Sequence, residues 1–176
     1  MTHQPEKPTP LLVLDLDGTV RHGRDELGRF VNGPDDVIVF PEAVEQMRQW
    51  KAHGGRIIGV SNQGGIALGF MTMQTCAKAM MRTHELCDGL FDKIAWCSHF
   101  PEATHPELAR CWCRKPSPGL LIESAIELAA RYGEYYPPHL GLFIGDRIED
   151  QECARLAGFT FQWATDWRAQ AEVMQP

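Results

Sequence analysis

The chain alternates short apolar runs with segments whose apolar positions return every three to four residues, and the runs end in polar or glycine residues. Leu11-Leu12-Val13-Leu14 stops at Asp15-Leu16-Asp17-Gly18-Thr19, as a strand covered on both faces does when it opens into a loop. Arg56-Ile57-Ile58-Gly59-Val60 repeats the pattern and delivers Ser61-Asn62-Gln63-Gly64-Gly65. Phe91 to Trp96 reads as a third strand, and Leu140 to Ile144 as a fourth that ends in Gly145-Asp146-Arg147-Ile148-Glu149-Asp150.

Helical spacing fills the intervals. Pro41 opens a helix with Val44, Met47 and Trp50 on one face, closed by His53-Gly54-Gly55. Thr72 can cap a second helix whose face carries Met73, Ala77, Met80, Met81 and His84. Pro116 starts a third, with Leu121, Ala125, Leu128, Ala129 and Tyr132 aligned. A short helix through Ala154 and Ala157 closes at Gly158, before a last strand from Phe159 to Trp163. The alternation predicts an α/β fold with a mainly parallel sheet and helices on both faces.

Four stretches stand apart from this pattern. Residues 1–10, polar and proline-bearing, read as a flexible extension ahead of a single domain over 11–168, whose C-terminal edge Trp163 and Trp167 close, and 169–176 read as a frayed tail. Val20 to Phe40 is glycine-rich and charged; Phe30-Val31 and Val37-Ile38-Val39 suit small strands of a flap, and Arg21 to Gly33 suits a substrate loop. Cys97 to Cys113 is too long and too polar for a simple connection.

With 176 residues, 44% hydrophobic and 23% charged, the composition fits one ordinary globular core and excludes wholesale disorder. A net charge of -6 argues against a dedicated nucleic-acid binder, which needs a basic face. No apolar run approaches the roughly 20 residues of a membrane span, and Met1 to Pro10 lacks the apolar stretch of a signal peptide. The expectation is a cytoplasmic monomer with reduced cysteines, so that clustering among Cys97, Cys111 and Cys113 points to metal before disulfides. Cys76, Cys87 and Cys153 read as small core residues, and the methionines from Met71 to Met81 as helix-face packing.

In open α/β sheets ligands bind beyond the carboxyl ends of the strands, where this chain places Asp15 and Asp17, Ser61 and Asn62, and Asp146 with Asp150. Each pair alone could simply begin a turn or cap a helix. Together they would crowd carboxylates that resist ionisation unless a hard cation such as Mg²⁺ sits between them. Cys97-Ser98-His99 and Cys111-Trp112-Cys113 supply three thiols and an imidazole, the complement of a closed Zn²⁺ site, with His105 as a spare imidazole.

Asp15-Leu16-Asp17-Gly18-Thr19, Ser61-Asn62, Lys115 and Gly145-Asp146 through Asp150 resemble the four motifs of the haloacid dehalogenase (HAD) superfamily of phosphotransferases. The resemblance covers nearly the whole folded chain and implies a Rossmann-like phosphatase that uses Mg²⁺. It casts Asp15 as the nucleophile that becomes an aspartyl-phosphate, and Asp17 as the group that protonates the leaving oxygen and then activates water. Ser61 and Lys115 would hold the transferring phosphoryl group, and Asp15, the Asp17 main-chain carbonyl and Asp146 would bind Mg²⁺. Asp150 either orients Lys115 or caps the following helix.

The cysteine loop running into Arg114-Lys115-Pro116 resembles that of the heptose bisphosphate and histidinol phosphatase branch, where such a loop is a structural zinc staple. Phe30-Val31, Pro41-Glu42 and Ser61-Asn62-Gln63 with Gly65-Ile66-Ala67 are similar to that branch as well. This implies a zinc-stapled loop over 97–113, with Asn62, Arg114 and Lys115 binding the substrate's phosphate. Leu16 stands where the branch carries arginine and Leu68 where it carries another basic residue, which weakens the case for a second phosphate on the substrate. The length leaves no room for a large cap domain, so the site is expected to be open. A small sugar phosphate or bisphosphate is the first expectation. Histidinol phosphate, a phosphorylated polynucleotide end and a catalytically silent binding module are the alternatives.

Overall fold

The structure, a computed structural model, describes residues 7–24 and 30–173. Its centre is a five-stranded, wholly parallel sheet of β2 (Leu11–Leu14), β5 (Arg56–Asn62), β6 (Lys93–Cys97), β8 (Leu142–Gly145) and β9 (Thr160–Trp163), in the order β6-β5-β2-β8-β9. Strand β2 is buried along its length because helices cover both faces, which accounts for its unbroken apolar run. Leu12 and Leu14 face one core with α1 (Pro41–Ala52), α2 (Met73–Leu86) and α6 (Ala164–Val173), through Val44, Met47, Met80 and Trp167. Leu11 and Val13 face a second core with α4 (Gly119–Tyr132) and α5 (Ile148–Ala157), through Leu121, Leu128 and Ala154. At roughly 1.5–3 kcal/mol for each large apolar side chain fully buried, these two layers dominate the stability of the fold.

From β2 the chain steps outward to β5 and β6, then returns to β8 on the other side of β2 and ends at β9. Strand order therefore reverses at β2, and the crevice beyond its carboxyl end is the place such a sheet binds ligands. The long return from β6 to β8 holds the cysteine loop, with the single turn α3 (Pro106–Ala109) inside it. The flap pairs β3 (Arg21–His22) antiparallel with β4 (Ile38–Val39). Of the two flap strands expected, Ile38–Val39 forms and pairs with β3, whereas Phe30-Val31 forms none.

Several expectations are corrected. The extension is not free from Lys7 onward: β1 (Lys7–Pro8) pairs with β7 (Glu134–Tyr135), and Thr9 donates its backbone N–H to Tyr135 O at 3.0 Å. The tail is not frayed after Arg168: α6 runs through Val173, with Trp167 and Ala171 buried against α1. On α2 the buried face is Cys76, Ala79, Met80 and Thr83, whereas Met73 and Met81 are 50% and 64% exposed. The positions three, four and seven after Cys76 form one stripe, and the methionines lie beside it. The helix after Pro116 begins at Gly119. Residues 1–6 of the extension, 25–29 of the expected substrate loop and 174–176 of the tail lie outside the described residues. No helix among the described residues is long and apolar enough to cross a membrane.

Candidate active site

Asp15 is the first residue past β2, and its N–H donates to Ile144 O at 2.9 Å, so the main chain of β8 still holds it as the strand ends. The Lys115 ammonium reaches the same point from the end of the cysteine loop and donates to Asp15 Oδ1, to Asp150 Oδ1 at 2.7 Å and to Val60 O at 3.0 Å. Three acceptors meet the three N–H bonds of one ammonium, which is how a cation survives near-complete burial. Burial alone would lower the Lys115 pKa, but the paired carboxylates Asp15 and Asp150 outweigh it and raise it.

Burial decides the other way for Asp15, lifting its carboxyl from 3.8 to about 7 despite Lys115. Asp146, pushed up by burial and then by Asp150, stands across the crevice, and one oxygen from each of Asp15, Asp146 and Asp150 lies within 4.8 Å of the others. Asp15 Oδ2 is buried without a hydrogen-bond partner among the described residues. Gly18, at φ 91°, keeps the space beside Asp146 open: a Cβ there would lie 2.2 Å from Asp146 Oδ2. An unpartnered buried oxygen in an all-oxygen set, with room kept by a glycine, fits a small hard cation.

Asp150 does both things expected of it as alternatives. Its Oδ1 holds Lys115, and its Oδ2 accepts the Arg147 N–H at 3.1 Å, capping α5. Asn62 clamps the lysine's backbone: its amide accepts the Lys115 N–H and donates to Lys115 O, each at 3.0 Å. Ser61 is buried, and its Oγ accepts from Gln63 Nε2 at 2.8 Å.

Asp17 adds no carboxylate to the cluster. Its Oδ2 accepts from Gln63 Nε2 at 2.7 Å, and the Arg21 guanidinium grips both its oxygens, at 2.8 Å to Oδ1 and 3.4 Å to Oδ2. Arg21 escaped the sequence reading because a lone arginine in a charged stretch carries no sign of burial. Gln63 had a signal, since it follows Ser61-Asn62 at a strand end. Arg168, on the helix not foreseen, donates to Gly18 O at 2.9 Å and Thr19 O at 2.7 Å, bracing the loop that carries Asp17. Leu16 is 0% exposed and points into the core beneath the site, so a side chain at this position does not set the charge at the entrance. Leu68 is partly exposed on the loop after β5.

The cysteine loop brings its expected donors together. Cys97 Sγ lies 3.6 Å from Cys111 Sγ, 3.2 Å from Cys113 Sγ and 3.5 Å from His99 Nδ1, and all four donor atoms fall within 4.8 Å. Ligands about 2.3 Å from one tetrahedral centre stand about 3.7 Å apart, so the cluster is close to the size that Zn²⁺ requires. Burial pushes the Cys97 thiol up, a cost that a cation would offset by taking it as thiolate. His105 stands apart, 71% exposed beside Glu107 at 3.7 Å. Arg114 is tied to the cluster: its Nη1 donates to His99 O at 3.0 Å, and its guanidinium lies 4.9 Å over the Phe100 ring.

No family model matches the chain. It is similar to the D-glycero-D-manno-heptose-1,7-bisphosphate 7-phosphatase of Chlorobaculum tepidum, 34% identical over 152 residues that cover 84% of this chain and 74% of that protein. It is similar also to the D-glycero-β-D-manno-heptose-1,7-bisphosphate 7-phosphatase of Escherichia coli K12, 31% identical over 158 residues that cover 84% and 74%. Among solved structures, a HAD-like phosphatase from Mesorhizobium loti shares the fold at a TM-score of 0.74 and 24% identity, covering 98% of this chain and 90% of that one. The D,D-heptose 1,7-bisphosphate phosphatase of B. bronchiseptica, solved with magnesium and phosphate, matches at a TM-score of 0.69 and 25% identity, covering 92% and 87%. The chain belongs to the heptose bisphosphate phosphatase family of the HAD superfamily and is a phosphoric monoester hydrolase.

Proposed function

We propose that this phosphatase removes one phosphate from a small sugar bisphosphate of the heptose bisphosphate kind, through an aspartyl-phosphate on Asp15. The observation that supports it most is the Lys115 ammonium spanning Asp15 and Asp150 at the carboxyl ends of the sheet, beside the unpartnered Asp15 oxygen. The substrate class rests on the names of the relatives.

In the first step an Asp15 carboxylate oxygen attacks phosphorus, the bond to the sugar oxygen breaks, and Asp17 gives that oxygen its proton. In the second step Asp17 takes a proton from water, the water oxygen attacks phosphorus, and the bond to Asp15 breaks to release inorganic phosphate and the free carboxylate. Lys115 and Ser61 hold the phosphoryl oxygens in line, and Asn62 fixes the backbone of Lys115 while they do so. Asp15, Asp146 and the Asp17 carbonyl would hold Mg²⁺, which would supply positive charge to the phosphoryl group. Cys97, His99, Cys111 and Cys113 would hold a structural Zn²⁺, which would steady the His99 carbonyl that aims Arg114 at the substrate's phosphate. None of the six cysteines is in a disulfide, which suits a cytoplasmic setting.

The test is phosphate release with Mg²⁺ from sugar bisphosphates, sugar monophosphates, histidinol phosphate and phosphorylated oligonucleotide ends, with Asp15→Asn as control. Preference for a sugar bisphosphate supports the reading. Preference for an oligonucleotide end, or release that survives Asp15→Asn, overturns it.

A further inference from the structure

Arg21 is 0% exposed, and a guanidinium removed from water costs several kcal/mol unless its donors are met. Nε and Nη2 fork onto the two oxygens of Asp17. Nη1 donates to Thr83 Oγ1 at 2.7 Å and to Ala79 O at 3.3 Å, both on α2. Thr83 spends its own proton on Ala79 O at 2.8 Å, which leaves its oxygen as an acceptor for the arginine. The main chain is pinned too: Arg21 N donates to Leu16 O at 2.9 Å, and Arg21 O accepts from Gly18 N at 2.8 Å. The guanidinium is thus a rigid strut between α2 and one catalytic-loop carboxylate.

We propose that Arg21 is a positioning residue that fixes the direction in which Asp17 delivers its proton; the inference rests on the reading of Asp17 as acid and base. A carboxylate offers about four lone-pair sites. Gln63 and Arg21 Nη2 occupy the two on Oδ2, and Arg21 Nε occupies one on Oδ1. The remaining site, on Oδ1, is the one from which the leaving oxygen receives the proton as its bond to phosphorus breaks and the bond from Asp15 forms. The same site accepts the proton of the attacking water in the second step. A planar fork sets this direction in a way that a single charge does not. Misplacement of a reacting group by about 1 Å costs on the order of 10²-fold in rate.

The experiment compares two substrates that differ in their need for that proton. An alkyl phosphate, glycerol phosphate or a sugar phosphate, leaves as a strongly basic alkoxide; p-nitrophenyl phosphate leaves as a weakly basic phenolate. In Arg21→Lys the kcat/KM for the alkyl substrate, which reports the step that phosphorylates Asp15, is expected to fall about 10²-fold, while that for p-nitrophenyl phosphate changes by no more than about threefold; kcat, which includes the shared second step, falls on both. Thr83→Val, which leaves the guanidinium and Asp17 in place but loosens the strut, shifts the ratio in the same direction by less. If Arg21→Lys does not fold, Thr83→Val decides. Equal losses of kcat/KM on both substrates show a structural ion pair and overturn the inference, as does an unchanged ratio in the variants that fold. If wild-type cleaves p-nitrophenyl phosphate in an Asp15-dependent way, the proposed reaction stands whichever way this result falls. A wild-type that cleaves neither substrate overturns both.

Discussion

Two clusters among the described residues are able to hold a metal, and they are built in opposite ways. At the sheet, Lys115 meets Asp15 across 100 positions of sequence, and every participant is fixed by a strand end, a helix cap or a backbone clamp. In the cysteine loop, Cys113 meets Cys97 across 16 positions, and no residue from Ser98 to Cys113 is buried. The first is assembled by the core. The second has almost no core of its own, and the zinc proposed for its four donors would supply the order that burial does not. The two differ in what holds them: a folded core at the sheet, local donors in the loop.

The contrast breaks most sharply at Lys115. Lys115→Met leaves Asp15 and Asp150 buried without their shared cation, and removing one partner of such a pair costs about 3 to 5 kcal/mol. Urea unfolding should show that loss, and phosphate release should vanish with it. A variant as stable as wild-type would show that the carboxylates do not depend on the lysine.

Zinc removal should act locally. Treatment with a chelator followed by Mg²⁺ alone is expected to speed hydrogen exchange through 98–113 and to lower kcat/KM about tenfold or more through Arg114, while the sheet stays protected. Loss of protection across the sheet as well would mean that the two regions form one cooperative unit.

The smallest effect is a pH slope. The folded protein, with Asp15 raised from 3.8 to about 7, keeps a proton that the unfolded carboxyl has already released. The native state therefore binds more protons across that window, and stability falls as pH rises from about 4 to about 7. Asp146, raised in the same direction, adds to the slope, whereas Lys115 remains charged throughout. Unfolding measured without Mg²⁺ should show the decline. Mg²⁺ should flatten it by favouring the ionised carboxylates, and Asp15→Asn should remove most of it. A slope of opposite sign would show that Lys115, and not burial, governs Asp15.

Much of the site was legible because chemistry at strand ends is announced by abrupt changes in pattern: four apolar residues, then Asp15; β8, then Gly145-Asp146. The cysteine cluster was legible because its donors are local. The face of α2 was not, because hydropathy favours Met73 and Met81 while geometry selects Cys76 and Thr83. Helix α6 was hidden for a related reason: only a few of its residues, Ala164, Trp167 and Ala171, meet the core. The role of Arg21 could not be read at all, since its partners Asp17, Ala79 and Thr83 come together only in the folded chain.

If Asp15 takes the phosphoryl group, rapid acid quenching during turnover traps it there. With substrate labelled in the transferred phosphate and Mg²⁺ present, label should appear transiently on the protein, map to Asp15 and be absent from Asp15→Asn. Phosphate release with no protein-bound label at any quench time, or label that persists in Asp15→Asn, would contradict the account.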